Sequence, residues 1–320
     1  MTTTGYGSRT VVGVDVGGTR TKVVALSLSW VDGSPSAPMD GVVTAEHVLP
    51  TPEGVGDRLA DHVREAVTAV LVPDARPAAV GVVVPGLVHD RSGVGVWSAN
   101  LGWRDLPLRQ LVEDAVGERG AVAVAVGHDV RAGLVGEHRF GAARGLDDVL
   151  FVPLGTGVAA AVLTGGQPVA GSPWTGEVGH VVVDPDGPGC GCGARGCLEA
   201  LAGAGALARR WQEATGGPGD AQVVARLAAT GEPTAVRLWD EAVAALVTVL
   251  APVVAANGTE LVLVGGGLSN AGDQLLTPLR TGLLARLPGR ELVVARAALG
   301  DRAAALGAAA MAADRLAASS

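Results

Sequence analysis

Three cysteines, Cys190, Cys192 and Cys197, fall within eight residues, and His180 stands ten residues before the first of them. Three thiolates with one imidazole form a common structural zinc set, because Zn2+ takes four soft or borderline donors in a tetrahedron. Gly187, Gly189, Gly191, Gly193 and Gly196 let the backbone fold around one ion. Four protein ligands leave no open coordination position, so this zinc braces a loop and does not activate water. The competing reading is a small disulfide with a spare thiol. An odd cysteine count and a polar start, Met1 to Arg9, without an apolar leader argue against it.

A second set of residues suits phosphate. Gly17-Gly18-Thr19, Gly155-Thr156-Gly157 and Gly265-Gly266-Gly267 each follow an apolar run. Such turns present backbone N–H groups to anionic oxygens with no Cβ in the way, and the hydroxyls of Thr19 and Thr156 add donors. Asp15, just before the first turn, is placed to hold Mg2+ through water. One glycine turn is a weak signal; three, each after a strand, point to a nucleoside triphosphate. Two dinucleotide fingerprints compete and fail. Gly191 to Gly196 spells G-x-G-x-x-G, but it follows Asp184-Pro185-Asp186 and overlaps the cysteines. Gly155 to Ala160 follows a strand, but Gly165-Gly166 closes the segment before a crossover helix can form. No P-loop sequence is present.

Asp129 follows an apolar strand and heads a segment of helical pattern. It reads as a general base or as a helix cap, and the residue types leave both open. Lys22 is the chain's one lysine and lies in an apolar strand pattern, so side-chain Schiff-base chemistry has a single candidate.

These residues need a scaffold, and its elements are legible as runs. Strands are expected at Val11 to Val16, Val23 to Leu28, Gly41 to Leu49, Ala79 to Val84, Ala121 to Val126, Val149 to Leu154, Val158 to Leu163, Leu261 to Val264 and Leu292 to Ala295. Helices are expected at Asp57 to Leu71, His128 to Arg139, Ala200 to Thr215, Thr234 to Ala256, Gln274 to Leu287 and Arg302 to Ala317. Ser29 to Pro38 reads as a loop. Strand, glycine turn, strand occurs at Val12 to Leu28 and again at Phe151 to Leu163, nearly half the chain apart. That spacing suggests a duplicated α/β unit; coincidence is the other reading of so short a match. Strands alternating with helices imply a mixed or parallel sheet flanked by helices.

Composition removes whole classes of function. Hydrophobic residues at 48% and charged residues at 18% exclude a disordered chain. A net charge of -8 argues against a nucleic-acid partner, which needs a basic face. Mean hydropathy is +0.36, yet the longest clean apolar helical stretch, Ala242 to Ala256, contains Pro252 and is short of the ~20 residues a bilayer needs. No membrane partner and a cytoplasmic location are therefore expected.

Glu177-Val-Gly-His180, followed by Cys190-Gly-Cys192-Gly-Ala-Arg-Gly-Cys197-Leu-Glu199, resembles the signature of the ROK family of sugar kinases and repressors. Asp15-Val-Gly-Gly-Thr19 and Gly155-Thr-Gly157 are similar to phosphate motifs of the wider superfamily of actin, hexokinase and chaperone ATPases. The resemblance runs from about residue 11 to the end. It implies an α/β fold of the bilobal actin-like ATPase (ribonuclease H-like) type, two α/β domains around a cleft. Residues 1–127 with 301–320 would form the N-terminal domain, and 128–300 the C-terminal domain with the zinc loop.

By the same resemblance Asp129 is the catalytic aspartate. It also implies that Asn100, Glu177, His180 and Glu199 are sugar ligands and that the Asp15–Thr19 and Gly155–Gly157 turns hold ATP with Mg2+, to which the residues themselves add the Gly265–Gly267 turn. The family's usual pair is Asn-Asp; here it is His128-Asp129, so His128 stands where an asparagine would bind a sugar hydroxyl. A plain helix-start role is the alternative for His128. Repressors of the family carry an added N-terminal DNA-binding domain, whereas about ten residues precede the first strand here. The expected activity is an ATP:sugar phosphotransferase of hexokinase or glucokinase type acting on a primary hydroxyl. Glucose is expected first, then N-acetylmannosamine or N-acetylglucosamine. A non-catalytic sugar sensor is the second reading, resting on His128. The resemblance also suggests a homodimer.

Overall fold

The structure is a computed structural model, and it describes residues 6–31, 41–117 and 122–319. In chain order the elements begin with β1 (Tyr6–Val16), β2 (Arg20–Val31), β3 (Gly41–Pro50), α1 (Leu59–Ala69), β4 (Ala79–Val84) and β5 (Leu87–His89). Then come β6 (Val94–Ser98), β7 (Trp103–Leu106), α2 (Leu108–Gly117), β8 (Ala123–His128) and α3 (Asp129–Phe140). They continue with β9 (Val149–Pro153), β10 (Ala161–Thr164), β11 (Gln167–Pro168), α4 (Leu198–Ala202), α5 (Ala204–Thr215), α6 (Ala221–Ala229) and α7 (Pro233–Asn257). The last four are β12 (Leu261–Gly265), α8 (Asp273–Arg286), β13 (Val293–Arg296) and α9 (Ala303–Ala317).

These elements pack into two compact units. One comprises Met1–Arg144, Ala170–Trp174 and Asp301–Ser320; the other comprises Gly145–Val169 and Thr175–Gly300. The first is built on a sheet of order β3-β2-β1-β4-β8, with β1, β2 and β3 antiparallel and β1, β4 and β8 parallel. The interior strand β4, between β1 and β8, is buried at every position, the apolar run expected of a parallel strand covered on both faces. Val12, Val14, Val80 and Val82 face Leu59 and Val63 of α1 and Leu108 and Val112 of α2. On the other face Val83 packs with Ala132 of α3 and Ala308 of α9.

α3 and α9 approach too closely for side chains. A Cβ on Gly307 would lie 1.7 Å from the Ala132 carbonyl oxygen, and one on Gly136 would lie 2.2 Å from that of Ala303. This contact assigns α3 to the first unit, so the junction falls after Arg144 and not between 127 and 128 as the sequence suggests. A small antiparallel sheet, β5-β6-β7, completes the unit.

The second unit has a sheet of order β11-β10-β9-β12-β13. Its strand senses repeat those of the first sheet: three antiparallel, then parallel β9, β12 and β13. The duplication read from the glycine turns is thus present as topology. α7 runs for 25 residues and, by length and composition, passes as a candidate membrane span. Its Leu238, Trp239, Leu246, Leu250 and Val254 instead belong to the core of this unit.

Three local expectations change. The helix read from Ala200 to Thr215 is broken at Gly203, whose ψ of 145° is extended, into α4 and α5. β10 starts at Ala161, three residues late, because Val158 makes only an isolated bridge to Leu154. Ser29 to Val31, read as loop, continue β2 because β1 extends back to Tyr6 to pair with them. Residues 32–38 of that loop, and Ala121, lie outside the described residues.

Candidate active site and metal centre

In the first unit the β1–β2 turn presents Gly17, Gly18 and Thr19. The turn is closed by Gly17 N–H donating to the Arg20 carbonyl at 3.1 Å, and by Thr51 N–H donating to the Thr19 carbonyl at 3.0 Å. Asp15 and Lys22 are cross-strand partners in β1 and β2, with Nζ 3.8 Å from Oδ2. The amine is thereby an ion-pair partner at the turn. Burial pushes the Asp15 carboxyl up to about 7, the negative charges of Asp129 and Asp301 add to this, and Lys22 opposes it. A buried carboxylate crowded by two others suits a divalent cation better than empty space. Asn100, from the loop after β6, faces the same turn: a Cβ on Gly18 would lie 3.5 Å from its Cβ.

Asp129 is the first residue of α3, at the C-terminal end of β8. Its Oδ1 accepts the Val130 N–H at 2.7 Å, while the side chain stays 28% exposed. The cap and the exposed carboxylate coexist. His128 caps the same helix, its Nδ1 accepting from Val130 N–H at 3.2 Å. Burial lowers its pKa, and its Nδ1 also lies 3.4 Å from Asp129 Oδ1.

In the second unit the Gly155–Gly157 turn is tied on three sides. Gly155 N–H donates to the Gly157 carbonyl at 3.1 Å, and the Gly155 carbonyl accepts from Ala204 N–H at 2.8 Å. The Gly265–Gly267 segment docks beside it: Leu154 N–H donates to the Gly265 carbonyl at 3.0 Å, and Leu268 N–H to the Leu154 carbonyl at 3.2 Å. Glu199, second residue of α4, reaches the same turn, its Oε2 accepting the Val158 N–H at 3.0 Å. A Cβ on Gly157 would lie 2.4 Å from that oxygen, so only glycine leaves room for the carboxylate. Two phosphate candidates and one sugar candidate therefore share one corner.

The cysteines sit on a hairpin closed by the Gly189–Arg195 bridge and by Cys190 N–H donating to the Ala194 carbonyl at 2.9 Å. His180 ends the short 3-10 turn Val178–His180. Its Nδ1 lies 3.7 Å from Cys190 Sγ, and the Sγ atoms of Cys192 and Cys197 are 3.7 Å apart. One donor atom from each of the four residues lies within 4.8 Å of the others. Zn–S bonds of about 2.3 Å give tetrahedral sulfur–sulfur edges of about 3.8 Å, so the four donors fit a zinc ion. Burial pushes the Cys197 thiol up to about 12 and raises Cys190, while the Ala194 backbone pulls Cys192 down. His180 turns its other nitrogen, Nε2, toward Glu177, 3.8 Å from Oε2. The donor cluster on one side and a carboxylate on the other fix the aim of the ring.

The sequence reading missed Lys22 as a partner of Asp15, and Asp301 altogether. The alternation of β1 and β2 carried the first signal; nothing in the sequence linked Asp301 to a residue 286 positions earlier.

A family model described as the ROK family matches residues 11–315. A glucokinase of Thermotoga maritima is 34% identical over 287 residues, covering 84% of this chain and 86% of that one. Among solved structures, the ROK hexokinase of Thermus thermophilus aligns with a TM-score of 0.80 at 34% identity, covering 96% of this chain and 99% of the other. A ROK family glucokinase of Streptomyces griseus, solved with glucose and AMPPNP, aligns with a TM-score of 0.76 at 30% identity, covering 95% and 99%. The α/β fold with its two mixed sheets is that of these kinases, the actin-like ATPase fold.

Proposed function

The chain belongs to the ROK family and is a sugar kinase, and from that premise we propose that it phosphorylates the primary hydroxyl of a hexose with ATP as donor. Glucose is the first substrate to test, followed by N-acetylmannosamine and N-acetylglucosamine. The observation that carries the reading is electrostatic. Asp129, the only acid at the head of α3, stands near enough to Asp15 at the phosphate turn to act on its ionisation. A base and a phosphate cradle in one site are what phosphoryl transfer requires.

In this reading the second oxygen of Asp129 accepts the hydroxyl proton as the sugar oxygen bonds to the γ-phosphorus. The bond from that phosphorus to the β,γ-bridging oxygen breaks and ADP leaves. The N–H groups of the glycine turns hold the phosphates in line. Asp15 would hold Mg2+, which neutralises charge on the transferring group. Asn100, Glu177, His180 and Glu199 bind sugar hydroxyls. His128, beside Asp129, would add a hydrogen bond to a sugar hydroxyl.

His180, Cys190, Cys192 and Cys197 would hold a structural zinc, which supplies rigidity to the loop carrying Glu177 and Glu199. A coupled assay of ADP release across a panel of hexoses and N-acetylhexosamines tests the proposal. Turnover of one sugar well above the rest is expected; no turnover with any sugar would point to a sensor.

A further inference from the structure

An ion pair with a buried guanidinium flanks the head of α3, and the reaction as described does not use it. Arg131, two residues after Asp129, is 4% exposed. Its Nε donates to Asp90 Oδ2 at 2.9 Å and its Nη2 to Asp90 Oδ1 at 2.9 Å, a two-pronged contact. Nη2 also donates to the Val88 carbonyl at 3.0 Å. Asp90 is itself held from behind, because Arg109 of α2 donates to its carbonyl at 2.9 Å and to that of Arg91 at 3.2 Å. The Asp90 carboxylate also crosses the end of β8, where a Cβ on Gly127 would lie 3.5 Å from Oδ1. The pair therefore lies beside the chain at 127 and includes it at 131, on both sides of His128-Asp129.

Stability alone does not account for this arrangement. A buried guanidinium loses its water, and a well-packed apolar pair of similar volume commonly does as well. A positive charge in the first turn of a helix also opposes the helix dipole. What the fork supplies is direction, since two parallel hydrogen bonds fix a guanidinium against a carboxylate in one plane. Position matters steeply in a reaction that runs on alignment.

We propose that Arg131 and Asp90 are positioning residues that hold the first turn of α3, and with it the Asp129 carboxylate, in the reactive orientation. Neither touches substrate; both act through Asp129. This rests on Asp129 being the base.

The test measures kcat and sugar KM for Arg131→Met, Asp90→Asn and Arg131→Lys, alone and combined with Asp129→Asn, using MgATP and the sugar of highest turnover. Melting temperature is recorded for each variant. Arg131→Met and Asp90→Asn should each lower kcat about 100-fold with KM within about threefold of wild type. Arg131→Lys keeps the charge but not the fork, and should lose about tenfold. In the Asp129→Asn background the same changes should cost less than about twofold, because the group they position is gone. Equal losses in both backgrounds, or Arg131→Met and Asp90→Asn with kcat within about threefold of wild type, would overturn the proposal. If Arg131→Met does not fold, Arg131→Lys and Asp90→Asn decide on the same criteria. Near-wild-type turnover of Asp129→Asn alone is a different failure: it removes the base assignment itself.

Discussion

Oε2 of Glu199 accepts the backbone N–H of Val158 at 3.0 Å, so the carboxylate that follows the cysteine hairpin is fastened to the backbone just after the Gly155–Gly157 turn. Gly157→Ala would drive a methyl group to within 2.4 Å of that oxygen. The clashing atom is the far end of a flexible side chain, so the fold should survive. Sugar KM should rise about tenfold or more while the melting temperature moves little. Steady-state kinetics with a thermal melt checks both, and an unchanged KM would detach Glu199 from sugar binding.

Asp129→Asn should lower kcat by about two to four orders of magnitude, the usual worth of a positioned base. Asn keeps an oxygen to cap Val130, so sugar affinity should stay near wild type. Tryptophan fluorescence titration alongside the coupled assay separates the two quantities.

The protein should carry about one zinc per chain as isolated, since His180, Cys190, Cys192 and Cys197 offer one set of four donors suited to a tetrahedral ion. Cys197→Ser, which alters the buried ligand, should release the metal and weaken sugar binding more than ATP binding. Elemental analysis and paired titrations check this. Zinc-free protein with wild-type sugar affinity would remove the bracing role.

Asp15 gives a pH signature. Its folded pKa, about 7, lies above its ordinary value of 3.8, so its favourable contribution is complete below pH 4 and lost as pH rises through 7. Three units correspond to about 4 kcal/mol at most. Without magnesium, Asp15→Asn should therefore be more stable than wild type at pH 8, and the difference should shrink toward pH 4. The variant should also lose most of its turnover. Denaturant melts at the two pH values, with and without magnesium, test the sign; magnesium should narrow the gap.

Gly307→Ala should be far more damaging than an alanine elsewhere in α9. The added methyl would meet the Ala132 carbonyl at 1.7 Å, and backbone cannot swing aside. A loss of about 3 kcal/mol or more is expected from such overpacking, read as a fall in denaturation midpoint.

Much of this was legible in the residues themselves. Strands that end in glycine turns carry a local signal in apolar runs, and Cys190, Cys192, Cys197 and His180 lie close enough in sequence to be seen as a set. The small sheet β5-β6-β7 was not legible, because strands of three to five residues interrupted by Gly93 and Gly102 show little alternation. α6 was hidden by a short apolar pattern between glycine-rich stretches. The Asp90–Arg131 pair spans 41 residues and appears only once β4 and β8 lie side by side. The division of the chain also depended on tertiary contact: two glycines, 171 residues apart, bring α3 against α9.

Lys22 is the chain's one lysine, and its side chain is 27% exposed beside Asp15. Amine-directed reagents therefore meet one side-chain target, beside the β1–β2 glycine turn, while every other fixed side-chain cation is an inert guanidinium. If nucleotide seats on the β1–β2 turn as proposed, a single acylation there becomes a built-in occupancy gauge: the bound nucleotide would shield the amine, and the yield of one modified peptide would read out how full the turn is.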